Sequence, residues 1–144
     1  MKRWRKRLKQ QLHCRVVECV LNVSPNDYWK VNSEWVAQQL EVTPEHLSRT
    51  FLKETCYYLQ SFLEGQKIYW SINLLRKNRD LQVRELAEII GYNNVNHFIL
   101  LFKKYMGLTP GRFRKVVLNS QIKRKKLNKR QKKGKKNIQN IDIN

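Results

Sequence analysis

Between residues 36 and 106 the apolar positions follow one pattern, used twice. VAQQLEVTPEHLSRTFLKETC and LAEIIGYNNVNHFILLFKKYMG align so that Val36-Ala37 precede Leu86-Ala87 by fifty residues. Leu47, Phe51, Lys53 and Cys56 precede Phe98, Phe102, Lys104 and Gly107 by fifty-one, which puts one extra residue in the second turn. Each copy reads as a short helix, a turn of three or four residues and a second amphipathic helix, the order of a helix-turn-helix unit.

The residues at the predicted helix ends agree with this reading. In the first copy Asn32 is an N-cap for a helix starting at Ser33, with Val31 stapled onto Val36. Thr43 caps the next helix, Pro44 takes its first position and Val42 staples onto Leu47, so that helix runs to about Glu54. In the second copy residues 83–90 form the first helix, Gly91 supplies the left-handed residue that ends it, and Asn94 caps the helix that follows. Thr109-Pro110 then opens a short final helix, with Leu108 and Phe113 as its staple pair. Between the copies Leu59, Phe62, Leu63, Ile68, Ile72 and Leu75 keep helical spacing over residues 59–77, weakened slightly by Gly65. A rod of that length spans roughly 28 Å, close to the ~34 Å rise of one turn of DNA. The expected fold is all-α, with two helix-turn-helix subdomains (about 33–54 and 83–106) joined by a long linker helix (about 59–77). Residues 1–14 are expected as a basic N-terminal segment and residues 117–144 as a basic, disordered, flexible tail.

Length and composition narrow the function. A chain of 144 residues holds one compact domain with a core. No stretch approaches the roughly 20 apolar residues of a membrane span. The basic N-terminus has too short an apolar part, broken by Glu18, to be a signal peptide, so the expected location is the cytoplasm. Cys14, Cys19 and Cys56 form no CxxC pair and the three histidines are scattered, so neither a disulfide framework nor a metal site is expected, and no cofactor. With no Gly-rich phosphate loop and no recognisable nucleophile and base, an enzyme is not expected; Glu85 and Glu88 read as the polar face of a helix.

The formal net charge of +19 points to a polyanion partner. Residues 1–10 carry six Lys or Arg and residues 121–136 carry ten, with no acid in either, whereas residues 17–111 hold ten of each sign. The ends can therefore bind any polyanion, and charge alone does not argue for sequence recognition.

Together these residues resemble the DNA-binding domain of AraC/XylS-type transcription regulators. The resemblance rests on Val36-Ala37, Leu47-Ser48-Arg49-Thr50-Phe51, Leu86-Ala87, Gly91-Tyr92, Phe98, and the run from Phe102-Lys103-Lys104 through Gly107-Leu108-Thr109-Pro110 to Arg112-Phe113-Arg114. It covers about residues 16–115 and implies a DNA-binding domain over 15–116. It also implies a stand-alone form acting as a monomer, an activator that touches RNA polymerase, and double-stranded DNA as partner. Four positions depart from the family pattern: Cys56 stands where glycine is common, Lys67 where arginine is, Ser71 where alanine is, and Leu100 where the second recognition helix commonly has arginine.

On the first recognition helix Leu47 and Phe51 face inward, which leaves Glu45, His46, Ser48, Arg49, Thr50 and Lys53 toward the groove or its rim. The resemblance puts Glu45, Ser48 and Arg49 on base-contacting positions. Arg49 is the leading candidate, since its planar fork matches guanine O6 and N7; a solvated arginine paired with Glu45 or Glu54 is the blander alternative. Thr43 and His46 are candidates for phosphate. On the second helix Phe98, Leu101, Phe102 and Tyr105 read as core, leaving Ile99 and Leu100 exposed. Asn94 and Asn96 join the candidate contacts, Asn96 for adenine, while Val95, Ile99 or Leu100 meet thymine methyls. Alternatively Ile99 and Leu100 form a protein interface. Lys103, Lys104, Arg112, Arg114 and the tail are expected on phosphates. The function expected is a sequence-specific transcription regulator that inserts two recognition helices into successive major grooves. The alternative is a protein-interaction scaffold whose basic tails bind nucleic acid without reading sequence.

Overall fold

The computed structural model describes residues 11–139, with the backbone alone at residue 121 and from 132 to 139. Among the described residues all regular structure is helical: α1 (Leu12–Leu21), a 3-10 segment (Pro25–Lys30), α2 (Ser33–Gln39), α3 (Pro44–Thr55), α4 (Leu59–Lys77), α5 (Val83–Ile90), α6 (Val95–Met106) and α7 (Pro110–Gln139). The linker α4 packs against α2 and α3 on one side and against α5, α6 and α7 on the other. One continuous core results, running from Leu12 to Phe113.

The repeat is written into the backbone as well as the side chains. At the end of α2, Glu41 N–H donates to the Gln38 carbonyl (3.2 Å) and Val42 N–H to Ala37 (3.0 Å). At the end of α5, Gly91 N–H donates to Glu88 (3.0 Å) and Tyr92 N–H to Ala87 (2.8 Å), the same pair of bonds fifty residues on. The left-handed residue that closes each turn is Glu41 (φ 56°) in the first copy and Gly91 (φ 90°) in the second. The next caps also match, now fifty-one apart: Thr43 Oγ1 accepts from His46 N–H (3.2 Å) and Asn94 Oδ1 from His97 N–H (3.1 Å). Both α3 and α6 end in a left-handed residue, Cys56 (φ 57°) and Gly107 (φ 72°), each donating its N–H four residues back at 2.8 Å. That geometry explains why glycine suits the Cys56 position, since a side chain there is strained.

The N-terminal part goes beyond the sequence expectations. Residues 12–14, expected in a basic flanking segment, belong to α1, whose Leu12, Val16 and Val20 form one buried stripe at four-residue spacing against α2 and α3. Residues 1–10 lie outside the described residues. The N-terminus of α1 is held by Glu54, at the end of α3: its carboxylate accepts from the backbone N–H groups of Leu12 (3.3 Å) and His13 (2.8 Å), and His13 Nδ1 lies 3.0 Å away. The His13 N–H bond holds the Glu54 carboxyl below its ordinary 4.5, against the opposing effect of burial. A depressed folded-state value means the contribution is present above that ordinary value and is lost as pH falls through the lowered one. Glu54→Ala is therefore expected to cost about 0.5–2 kcal/mol at neutral pH, as loss of an N-cap does. In urea unfolding the gap between wild type and variant narrows in acid; a gap that stays constant would refute this role for the carboxylate.

The 3-10 segment bridges to the second unit. Tyr28 stacks on Trp70 of α4 (centroids 4.0 Å, interplanar angle 3°), and the segment packs on α5. From the other side α6 is tied to α4 by the Tyr105 hydroxyl, which lies 3.1 Å from the Ser61 carbonyl and 3.3 Å from Glu64. Ser71 and Lys67, the two linker departures, are accommodated. Buried Ser71 donates to the Lys67 carbonyl (2.8 Å), and half-buried Lys67 rests over the Tyr92 ring, 5.0 Å from its centroid. Burial lowers the Lys67 pKa. A Cβ added at Gly65 would lie 3.6 Å from the Tyr105 ring, an ordinary contact. Gly65→Ala is thus expected to raise stability by about 0.5–1 kcal/mol through helix propensity alone, seen as a higher melting temperature.

The final helix is longer than the short one expected: α7 runs over 30 residues from Pro110 to Gln139. Its sequence is rich in Lys and Arg, both good helix formers, with no proline after Pro110. Phe113 and Val117 anchor its start to the core, and from Asn119 through Gln131, residue 121 aside, its side chains are exposed.

Candidate nucleic-acid interface

The two helices that follow the matched turns present matched faces. On α3, Leu47 and Phe51 are buried, and Glu45, His46, Ser48, Arg49 and Lys53 are exposed, with Thr50 half-buried. Among the described residues Arg49 has no carboxylate partner. Glu54, its possible partner, is engaged by α1 instead. Glu45, in the first turn of α3, suits the positive end of the helix dipole. Thr43 is exposed, and although its oxygen caps the helix, its hydroxyl proton is left to donate outward.

On α6, Phe98, Leu101 and Phe102 are buried as expected. The expectation for Ile99 needs correcting: it is half-buried and packed against the core, as is Val95, because the apolar stripe is wider than the three core positions. Leu100 is the large apolar side chain of α6 that stands out, at 68% exposure. Asn96 is exposed, and Asn94, with its oxygen used in the cap, keeps its amide protons to donate. Lys103, Lys104 and Arg112 are exposed, Lys104 lying 5.7 Å over the Tyr105 ring. Arg114 is half-buried, and its guanidinium donates to the Leu81 carbonyl, which pins α7 to the loop before α5.

The fifty-one-residue register pairs Thr43 with Asn94, Glu45 with Asn96, His46 with His97, and Arg49 with Leu100. His97, exposed beside Tyr92 (centroids 5.9 Å), was not among the sequence candidates, although the repeat pairs it with His46. The register also explains why the absence of a basic side chain at 100 matters: the second helix presents leucine where the first presents arginine.

Comparison with known proteins agrees with this geometry. A helix-turn-helix domain family matches residues 36–116. The chain is 34% identical over 84 residues to the transcriptional regulatory protein YesN of Bacillus subtilis, covering 57% of this chain and 23% of that protein. It is 30% identical over 128 residues to the HTH-type transcriptional regulator YfiF of the same species, covering 87% and 40%. The chain thus spans less than half the length of these relatives. Among solved structures, the C-terminal domain of AraT, a response regulator from Geobacillus stearothermophilus, superposes with a TM-score of 0.60 at 26% identity, over 76% of this chain and 88% of that one. The C-terminal domain of the response regulator yesN from Fusobacterium nucleatum gives a TM-score of 0.58 at 25% identity, over 69% and 93%.

Proposed function

From the premise that the chain belongs to the AraC-type helix-turn-helix family of transcription regulators, we propose that it reads a specific DNA sequence by setting α3 and α6 into successive major grooves on one face of a duplex. The observation that carries this reading is the pair of matched caps and turns, which give α3 and α6 equivalent starts and equivalent exposed faces, with a nineteen-residue linker helix between the two copies in the chain. Nineteen residues at 1.5 Å each give a spacer of about 28 Å, suited to grooves one turn apart.

Within this reading the two helices divide the work. Arg49 takes guanine, with Glu45 and Ser48 on neighbouring base edges. Asn96 takes adenine and Leu100 meets thymine methyls, so the second box favours A·T pairs. Thr43, His46, Lys53, Lys103, Lys104 and Arg112 hold phosphates, with His97 and the Asn94 amide beside them. We extend the proposal to activation as a monomer that touches RNA polymerase, acting in the cytoplasm where its DNA lies. The scaffold alternative loses support from the half-burial of Ile99, since a lone exposed leucine is ordinary on a protein surface and does not make a patch.

Selection of bound duplexes from a random pool, repeated at raised salt, tests the proposal. The expected outcome is a motif of two boxes about 10 base pairs apart, the first containing guanine and the second A·T-rich. Recovery of random sequence at both salt concentrations would overturn it.

A further inference from the structure

His13, Cys14 and Glu54 lie outside the DNA face, yet they form a chain of contacts with chemical meaning. Glu54 Oε2 lies 3.0 Å from His13 Nδ1, and His13 Nε2 lies 3.3 Å from Cys14 Sγ. With Nδ1–H donating to the carboxylate, Nε2 carries the lone pair and faces the thiol. A nucleophile, a base and a group that fixes the base's tautomer are thereby aligned in series. The orienting carboxylate is itself held, since it also accepts the backbone N–H groups of Leu12 and His13. The thiolate that forms sits in the first turn of α1, where the helix dipole favours an anion. Cys19, further along α1, and the exposed Cys56 show no such arrangement among the described residues.

We propose that Cys14 is a peroxide-reactive modification site whose oxidation state is read by the first recognition helix. In the reaction the thiol proton passes to His13 Nε2, and the sulfur attacks one oxygen of hydrogen peroxide, forming an S–O bond as the O–O bond breaks. The departing hydroxide recovers the proton from His13 and leaves as water. Sulfur is oxidised to the sulfenic acid and the peroxide is reduced. The sulfenic acid forms against His13, whose N–H and Nδ1 bind Glu54 at the end of α3, five residues along from Arg49, so a disturbed His13 loosens the docking of α1 on the helix that carries Arg49. This coupling rests on the DNA-binding reading, whereas the reactivity does not.

The test uses the three cysteines of one chain as mutual controls. The full protein is exposed briefly to hydrogen peroxide at pH 7, trapped with a sulfenic-acid reagent and mapped by peptide mass spectrometry. Accessibility alone would make exposed Cys56 react before half-buried Cys14. The expected result is the reverse, with Cys14 faster by about tenfold, a modest share of the gain that a positioned general base supplies. His13→Asn removes the advantage and leaves the Cys56 rate unchanged. Cys56 reacting first overturns the assignment even if that variant fails to fold, and so does a Cys14 rate that a folded His13→Asn protein retains. For the coupling, peroxide treatment weakens DNA binding by wild type and spares Cys14→Ser. Equal sensitivity of the two, or none, overturns the coupling, whereas failure of the untreated protein to select any duplex counts against the DNA reading itself.

Discussion

Arg49→Ala is expected to abolish most of the preference for cognate over random DNA while leaving binding to random DNA nearly unchanged. A bidentate contact to guanine is worth about 1–3 kcal/mol of discrimination, so the ratio of the two affinities falls by about 5- to 150-fold. The side chain meets the requirements for that contact: it is exposed on the face of α3 opposite Leu47 and Phe51, and the carboxylate five residues on is already taken by α1. Truncation after Ser120 supplies the opposite signature. It removes the ten Lys or Arg of residues 121–136, so binding weakens on both DNAs alike and the salt dependence flattens by about 0.9 in slope for each phosphate no longer neutralised. Fluorescence anisotropy titrations at several salt concentrations measure both quantities. Equal weakening on cognate and random DNA by Arg49→Ala would mean that Arg49 is only one more phosphate ligand, which is the behaviour of the scaffold alternative.

The parts of the fold that were legible in the sequence are those written twice or written in caps. Asn32, Thr43 and Asn94 accept from the third backbone N–H of their helices because short polar side chains at those positions meet donors that a helix leaves unpaired. The linker helix was legible from its apolar spacing and has the expected bounds. What was not legible has no counterpart in the repeat. The helix α1 and the 3-10 segment precede the first copy, and their partners are distant in sequence: Glu54 lies 41 residues beyond His13, and Trp70 lies well beyond Tyr28. No spacing rule connects such residues before the chain is folded. The same distance hid the alignment of Cys14, His13 and Glu54, whose nucleophile, base and orienting group meet only when α1 docks on α3. In α7 the propensity of lysine, arginine and glutamine for helix, seeded by the buried start at Phe113, carries the final helix past the short one expected.

On the candidate interface, exposure followed the helical period for α3 but not fully for α6. The α3 stripe is narrow, with Ser48 and Arg49 both outside it. The α6 stripe gains at its margins Val95, three residues before Phe98, and Ile99, three before Phe102, positions that helical spacing allows but a stripe drawn through Phe98, Leu101 and Phe102 leaves out. Arg114 shows a second limit, because its bond to the Leu81 carbonyl, 33 residues earlier in the chain, follows from no local spacing. The repeat register holds further information of its own, since it pairs His97 with His46 and Leu100 with Arg49.

Of single-methyl changes, Gly91→Ala is expected to be the most damaging to stability, and the reason lies in the segment that the repeat does not contain. Its φ of 90° already disfavours a side chain, which by itself costs about 1–2 kcal/mol. A Cβ there would also lie 2.6 Å from the Trp29 carbonyl oxygen and 2.8 Å from its Cα. Those are backbone atoms of the 3-10 segment, and they cannot rotate aside as the end of a side chain can. Their position is fixed in turn by Tyr28, stacked on buried Trp70, so relief requires the segment to leave α5. Overpacking of this kind adds about 1–3 kcal/mol, giving a total of about 2–5 kcal/mol. Gly107→Ala isolates the first contribution, since its φ is 72° and an added Cβ meets nothing within 4 Å. The difference between the two variants in denaturant unfolding therefore measures how firmly the 3-10 segment clasps the second helix-turn-helix unit. Because that clasp fixes the turn from which α6 emerges, Gly91→Ala is also expected to weaken recognition of the A·T-rich box more than of the guanine-containing box. Equal costs for Gly91→Ala and Gly107→Ala would mean that Trp29 recedes freely, and the orientation of α6 would then have to come from Tyr105 and the linker helix alone.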